Sequence, residues 1–297
     1  MRMRWTAVFA AAAVAALLVF SFEVAAQQAA QPGGQPAGQR GANLPPAGPA
    51  PHLSNGKPDF SGHWNNPYTP NMAGPGGANA LDPASRTPFD WPHQGEPLPD
   101  AKGQAKTFDL PYTDWGLKQW KEYDPEKNGD YAGSCLPFGM SRNINSPHGV
   151  QIVHSNDAFA FLFEQNTWFH WISLDPNFKW PADLPPSWTG ISTAHWDGVT
   201  LVVETTGFNG YTRLDTLGHP HSKDLKLTNT FTRTDSRTIL HTVTVHDPKS
   251  YTHDWMNVRT WILKPARDVI MEYSCEENNA SLQHGTITKW KYPETVD

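Results

Sequence analysis

Runs of alternating apolar and polar residues occupy the second half of the chain. From residue 150 onward, short runs rich in β-branched and aromatic residues are separated by turn-forming residues, a pattern typical of antiparallel strands. In the run from Thr238, the residues Ile239, His241, Val243 and Val245 share one face, as in a sheet wetted on its other side. Nine runs are predicted as strands: 150–155, 158–165, 167–174, 192–197, 199–205, 225–233, 238–246, 255–264 and 268–275.

The breaks between these runs predict a meander. The strongest turn signal is Asp197-Gly198, because a type I′ hairpin requires positive φ at two residues. A closed up-and-down barrel is the simplest arrangement in which so many consecutive strands leave no unpaired edge. A two-sheet sandwich is the alternative, since it shows the same alternation. The fold class is therefore mainly β.

Prolines and aromatic rings characterise residues 59–112. The prolines recur too often for a long helix or a central strand, so we expect a segment that wraps the domain or closes its mouth. Its rings would pack outside something larger: Trp64, Tyr68, Phe89 and Trp91. One short helix is predicted over 113–123, with Thr113 as its N-cap and Asp124-Pro125 at its end.

The N-terminus carries the pattern of a signal peptide. Arg2 and Arg4 precede an apolar run that ends in small residues at 24–26, as signal peptidase requires. An uncleaved membrane anchor is the alternative, but the run is short for a span. We therefore predict a signal peptide at 1–26, a periplasmic or secreted protein, and no stable membrane insertion after cleavage. A disordered Pro/Gly/Gln linker at 27–58 and a single barrel domain with an N-terminal extension at 59–297 would follow.

Charge and cysteine content narrow the partners. The chain has 23 Lys and Arg against 29 Asp and Glu, a net charge of −6 without a basic cluster, which argues against a nucleic-acid partner. In an oxidising compartment, the two cysteines, Cys135 and Cys275, are most simply one disulfide that closes a long loop.

Polar residues concentrate in two loops that interrupt the meander. The first, 207–223, contains His219-Pro220-His221, in which the proline keeps the segment extended and the two imidazoles face the same way. That arrangement suits a base with a partner, or two ligands of one metal, and Asp215 is close enough to orient an imidazole. A purely structural role for these residues is the alternative.

The second loop, 246–255, supplies Tyr251 and His253. Because the strands before the two loops run in the same direction in a meander, both loops should leave the same rim of the barrel. Motifs of serine hydrolases, nucleotide-binding loops and zinc proteases are missing from the sequence, so those classes lack support.

Several motifs resemble a large group of exported, mostly uncharacterised bacterial proteins. They span about residues 113–278 and read YDPEKN, CLPFG, AHWDG, TLVVETTGFN, GHPHS, VHDPKSYT and MEYSCEEN. The resemblance implies export and a β-rich, calycin-like (lipocalin-like) barrel, and implies no reaction. The chain departs from the group at Ile191 and Val199, where acidic residues are usual, and at His170, where arginine is usual.

These observations predict an exported enzyme that acts on an apolar or aromatic small molecule by acid–base chemistry, as a lyase, isomerase or hydratase. His219 or His221 would be the base, Asp215 would fix its tautomer, and Tyr251 or His253 would donate to developing negative charge. The substrate would contact a predicted set of residues: Trp168, Trp171, Phe161, Phe208, Asn209 and Trp255.

Two alternatives from other classes remain open at this stage. The first is a periplasmic carrier of hydrophobic ligands. The second is a metal-dependent hydrolase or oxidase in which His219 and His221 bind a divalent metal. No other cofactor is predicted.

Overall fold

Nine antiparallel strands form one sheet that curls into a nearly closed barrel. The computed structural model describes residues 47–74, 80–89, 91–99, 106–277 and 279–292; the predicted signal peptide and the linker up to residue 46 lie outside them. The strands are β1 (Gly62–Asn65), β2 (Val150–His154), β3 (Ala158–Phe163), β4 (Phe169–Ser173), β5 (Ile191–Asp197), β6 (Thr200–Thr206), β7 (Lys226–Arg233), β8 (Thr238–His246) and β9 (Trp255–Leu263).

The strand order is β4-β3-β2-β1-β9-β8-β7-β6-β5, with every neighbouring pair antiparallel. This single sheet confirms the mainly β, up-and-down barrel and removes the sandwich alternative. The two end strands, β4 and β5, meet through side chains. His170 Nε2 lies 2.7 Å from Ser192 Oγ, which lies 2.8 Å from Thr205 Oγ1. A neutral row of hydrogen bonds therefore joins the two end strands of the sheet.

The ninth strand comes from the proline-rich segment, which corrects the prediction. β1 lies between β2 and β9, and Trp64 is paired with Val150 on one side and Leu263 on the other. The Trp64 side chain is fully buried in the core, rather than outside the barrel as predicted. The strand can form because its four residues contain no proline; the prolines of this segment lie outside it.

Residues 268–275 do not form the strand predicted for them. Their large apolar side chains gain little burial, since Val269 and Met271 are each more than 60% exposed. Because neither face of this run is buried, its alternating pattern gains no hydrophobic stabilisation from pairing with the sheet. The segment instead ends at Cys275, whose sulfur is bonded to that of Cys135, which confirms the predicted disulfide.

The predicted alternation in β8 is confirmed. Ile239, His241, Val243 and Val245 are all buried and point into the barrel. Aromatic rings fill one part of the interior, where Phe161 lies 5.6 Å from Phe231, measured between ring centroids. The barrel interior is therefore largely packed with its own side chains.

The hairpin between β5 and β6 is present, but its turn differs from the prediction. Asp197 pairs with Thr200, so Gly198 and Val199 are the two turn residues. Gly198 has φ of +58°, whereas Val199 is not among the residues with positive φ. Positive φ at the first turn residue alone is the pattern of a type II′ turn, in which glycine takes the first position.

The predicted short helix is α1 (Asp114–Glu122). The Thr113 side chain caps it by accepting a hydrogen bond from the Gly116 amide at 3.1 Å. At its other end, the Lys106 ammonium group donates to the carbonyls of Trp120 and Tyr123, a favourable charge at a helix C-terminus. Three shorter helices follow in the described residues: α2 (Pro125–Asn128), α3 (Met140–Ile144) and α4 (Ala280–Gln283).

The part of the predicted linker that the structure describes, residues 47–58, has a defined conformation. The Leu53 amide donates to the Lys57 carbonyl at 2.8 Å, and the Gly48 amide donates to Ser236 Oγ at 3.0 Å. A search of the described residues for a helix long and apolar enough to cross a membrane found none.

Candidate active site on the barrel rim

Two loops meet at one rim of the barrel, as the direction of their strands predicts. The hydroxyl of Tyr251, in the loop after β8, donates to the Pro220 carbonyl in the loop after β6 at 2.6 Å. The buried carboxylate of Asp247 accepts from the Ser222 amide at 2.6 Å and from its hydroxyl at 2.9 Å. The two loops are therefore fixed to each other by buried polar contacts around the His-Pro-His segment.

Asp215 orients His219, as predicted. The two side chains are fully buried, and Oδ2 of the carboxylate lies 2.6 Å from Nδ1 of the imidazole. The same carboxylate accepts from the amides of Met72 and Gly218 at 2.8 and 3.0 Å. The His219 ring also stacks on Trp120, with the ring centroids 4.3 Å apart.

His219 carries a positive charge at neutral pH. Its Nε2 lies 3.4 Å from a second carboxylate oxygen, Oδ2 of Asp109. Burial lowers the pKa of the imidazole, but the two carboxylates outweigh burial and raise the pKa to about 9. A group that is already protonated does not accept a proton, so the general base that was predicted at His219 or His221 cannot be His219 in this state.

His221 is in the opposite state. Burial lowers the pKa of its imidazole, so the ring is neutral at pH 7. Its Nδ1 lies 2.8 Å from the Ser222 carbonyl oxygen, which only accepts, and so Nδ1 carries the proton. Nε2 is therefore the basic nitrogen, and it accepts from the Thr212 hydroxyl at 2.7 Å.

A cavity of about 690 Å³ opens beside His221, outside the barrel wall. His221 is one of its lining residues, together with aromatic rings from α1, the residues between α1 and α3, the loop after β6 and the C-terminal segment. These rings are Trp115, Tyr123, Tyr131, Tyr211 and Trp290. The C-terminal wall is fixed by the Trp290 amide, which donates to Ser134 Oγ at 2.8 Å.

Positive charge dominates the polar part of the cavity lining. The cations are Lys118, Lys127, Arg213 and Lys291, against Glu122 as the carboxylate among the described lining residues. Arg213 stacks over the Tyr123 ring at 5.3 Å, and no acidic side chain in the described part of the chain pairs with it. An unpaired guanidinium beside aromatic rings suits a ligand that combines a ring with a negative group.

The two predicted proton donors occupy different environments. Tyr251 is buried, and its hydroxyl proton is already used by the Pro220 carbonyl; burial raises the pKa of its phenol well above the usual value. His253 is exposed near Phe89 and Trp91, with ring centroids 6.4 Å away. Neither residue lines the cavity next to His221.

The six predicted substrate-binding residues also lie away from that cavity. Phe161 and Trp255 are fully buried in the core, and Trp171 is 39% exposed on the outside of β4. Trp168 is partly buried against the core, and the Asn209 side chain accepts from the Tyr211 amide at 3.0 Å. Phe208 lies behind the site, with its ring 5.8 Å from that of His221.

In the described residues, no group of three or more His, Cys, Asp and Glu side chains is arranged to hold a metal ion. Both ring nitrogens of His219 face carboxylates, and both of His221 face a hydroxyl or a carbonyl. The predicted pair of metal ligands is thus already engaged by protein groups.

Three residues of the candidate site were not predicted from the sequence: Asp109, Thr212 and Arg213. Asp109 lies 110 positions before His219, in the proline-rich segment, and nothing in its local pattern connects the two. Thr212 and Arg213 lie within the predicted loop, so a systematic list of its polar residues would have included them.

Comparisons with family models, curated proteins and solved structures found no match to this chain. The nearly closed antiparallel barrel is compatible with a calycin-like architecture. The resemblance to the exported bacterial group therefore rests on the sequence motifs alone.

Proposed function

We propose that this protein is an exported enzyme that moves a proton on a small aromatic molecule bearing a negative group. One observation carries the proposal: a neutral imidazole at His221 and an unpaired guanidinium at Arg213 lie in the wall of the same aromatic cavity. The cavity combines aromatic rings with several charged side chains, which suits a ligand that has both an apolar and a charged part.

Export is part of the proposal. Its support is the N-terminal sequence pattern together with the Cys135–Cys275 disulfide, because such bonds persist in oxidising compartments such as the periplasm.

The proposed chemistry follows from the charge states of the two histidines. Arg213 binds the negative group of the ligand, and His221 Nε2 accepts a proton from a carbon next to a carbonyl group. The electron pair of the broken C–H bond moves onto the carbonyl oxygen and forms an enolate, which the cationic wall stabilises. The Thr212 hydroxyl, which occupies Nε2 at 2.7 Å, has to turn away as the ligand enters. Isomerases that act next to a carbonyl group share this first step, as do lyases and dehydrating hydratases that eliminate through an enolate.

Phenylpyruvate is a suitable probe, because it combines an aromatic ring, a carboxylate and acidic benzylic hydrogens. In D2O, the protein should exchange those hydrogens for deuterium faster than buffer alone, as measured by NMR. We expect His221→Gln to lower the exchange rate by at least about 100-fold, the range of a general base. Arg213→Met should weaken binding and leave the rate at saturation less affected.

Arg237→Met is the matched control, since Arg237 lies in the turn between β7 and β8 and is not part of the cavity wall. This variant should behave like the unaltered protein. Exchange that equals the buffer rate, or that survives His221→Gln, would contradict the proposed enzyme.

A carrier of aromatic ligands is the second candidate. The observation that favours it is the low exposure of His221, only 2%, in a cavity that is otherwise lined by rings and cations. Saturable quenching of tryptophan fluorescence by phenylpyruvate, weakened by Arg213→Met but without any deuterium exchange, would identify a carrier.

A further inference from the structure

A second polar cluster lies inside the barrel, apart from the rim site. It surrounds a cavity of about 10 Å³ that is lined by side chains from α3, β7, β8 and β9, among them Asn145, Asn229, His241 and Arg259. That volume is about the space of one water-sized sphere. The cluster interrupts an interior that is otherwise apolar, so its polar groups need partners.

Arg259 is the most demanding of these groups. Its side chain is buried, and its Nε donates to Asn257 Oδ1 at 2.8 Å. Neither Nη1 nor Nη2 has a hydrogen-bond partner among the described residues. Burial lowers the pKa of the guanidinium to about 9, which still leaves it charged at neutral pH. A buried charge without a close counterion costs several kcal/mol in general.

Asp215 is the acidic residue that interacts electrostatically with Arg259, and its negative charge raises the guanidinium pKa. Asp215 is already committed, because its oxygens accept from His219, from the Met72 amide and from the Gly218 amide. Asn257 connects the two groups indirectly, since its Nδ2 donates to the Met72 carbonyl at 2.9 Å. Asp215 therefore balances part of the charge without accepting from Nη1 or Nη2.

Other unpaired atoms belong to the same cavity lining. Asn229 Nδ2 is a donor without a partner, while Asn229 Oδ1 lies 2.9 Å from His241 Nε2. His241 Nδ1 is also unpaired, and it is an acceptor, because Nε2 donates to Asn229 Oδ1 and burial holds the pKa of the ring well below its usual value. Asn145 Oδ1 is a second unpaired acceptor and can serve a single guanidinium N–H. The N–H groups of Arg259 Nη1 and Nη2 and of Asn229 Nδ2 still outnumber these two acceptors.

We propose that the barrel interior binds one small monovalent anion, of chloride size, between Arg259 and Asn229. An anion supplies both the acceptor and the negative charge that this cluster lacks, whereas a water molecule supplies no charge. The cavity volume excludes polyatomic anions, and chloride, which is larger than water, fits only when the Arg259 and Asn229 side chains move slightly apart. This site is separate from the rim cavity, so the proposal does not depend on the proposed enzyme activity.

Bromide provides a direct test, because its anomalous X-ray scattering identifies it in crystals of the unaltered protein grown without chloride. We expect a bromide peak at hydrogen-bond distance from the Arg259 guanidinium. A second measurement compares the Tm in sodium chloride with that in sodium gluconate at equal ionic strength, since gluconate is too large for the cavity. Chloride should raise the Tm by about 5–10 °C at a hundredfold excess over its Kd.

Arg259→Met removes the charge and should abolish the chloride-dependent rise in Tm. Arg233→Met is the matched control, because the buried Arg233 guanidinium already donates to the carbonyls of Asp235 and Ser236 at 3.2 and 2.6 Å. That variant should lose stability but keep the chloride effect. If Arg259→Met does not fold, the bromide experiment on the unaltered protein still tests whether an anion binds at Arg259. No bromide peak at Arg259, or equal Tm values in the two salts, would overturn the proposal.

Discussion

Replacing Asp215 by asparagine tests whether His219 is held in its charged form. The carboxylate lies 2.6 Å from His219 Nδ1, and both side chains are fully buried. Removing one partner of a buried ion pair leaves the other charge uncompensated, at a typical cost of about 3–5 kcal/mol. We therefore expect Asp215→Asn to lower the free energy of unfolding by that amount at pH 7.

The pH dependence of stability gives a sharper signature. The pKa of His219 rises from 6.5 to about 9 on folding, so the folded protein holds an extra proton between these values. This contribution is complete below pH 6.5 and is lost as the pH rises toward 9. At about 1.4 kcal/mol for each tenfold change in proton affinity, the full contribution is about 3 kcal/mol. Between pH 6.5 and 8, the contribution of His219 to stability should fall by about 2 kcal/mol.

Five other histidines act in the opposite direction. Burial lowers the pKa of each of them, so the folded protein binds fewer protons there than the unfolded chain, whose histidines titrate near 6.5. They are His148, His154, His170, His221 and His241. Each adds up to about 0.4 kcal/mol of stability between pH 6.5 and 8, because half of its unfolded form is still protonated at pH 6.5. Lys106 has a pKa lowered by burial to about 8, and its effect of the same sign begins near that pH. The difference between the unaltered protein and Asp215→Asn therefore isolates His219.

Urea unfolding, followed by tryptophan fluorescence at constant ionic strength, measures both effects. Across pH 6.5 to 8, the stability of the unaltered protein should fall by about 2 kcal/mol relative to that of Asp215→Asn. Asp109→Asn is the graded comparison, because Asp109 lies 3.4 Å from Nε2 and is partly exposed, so its loss should reduce the slope without removing it. The same slope in the unaltered protein and in Asp215→Asn would refute a charged His219.

Three further changes have expected results. Cys135→Ser with Cys275→Ser should lower the free energy of unfolding by about 2–5 kcal/mol in urea titrations, since the disulfide closes a loop with a sequence separation of 140 residues; no change would contradict a structural role. Thr113→Ala should cost about 1 kcal/mol by the same assay through loss of the α1 cap, whereas Thr113→Ser should cost less. Gly218→Ala should lower the Tm, because φ is +97° and the added Cβ would lie 2.0 Å from the Tyr123 ring; an unchanged Tm would show that the loop can move.

The strand pattern was predictable because it depends on local alternation and turn chemistry. β8 shows this directly: its predicted inner residues are the buried ones. The order of strands in the sheet was harder to predict from the sequence, because β1 is a four-residue strand from the start of the domain that lies between β2 and β9. Residues 268–275 alternate equally well in sequence, but their apolar side chains do not pack against the barrel and stay exposed.

The rim site shows a similar limit. Loop direction correctly brought 207–223 and 246–255 together, because meander strands alternate in direction. The charge states of the two histidines could not be read from their spacing, since they depend on Asp109 and on the Ser222 carbonyl. The burial of Arg259 could have been predicted, because it lies two residues from the buried Trp261 and therefore on the same face of β9.

The two imidazoles of the His-Pro-His segment illustrate how one motif yields two chemical groups. Carboxylates on both sides hold His219 as a cation, and a backbone carbonyl with a hydroxyl holds His221 neutral. Binding one metal through both rings would require His219 to give up its contact with a buried aspartate, which would then lose its main counterion. The pairing with Asp215 therefore favours separate roles: His219 as a fixed charge that stabilises the rim, and His221 as the group available to a ligand.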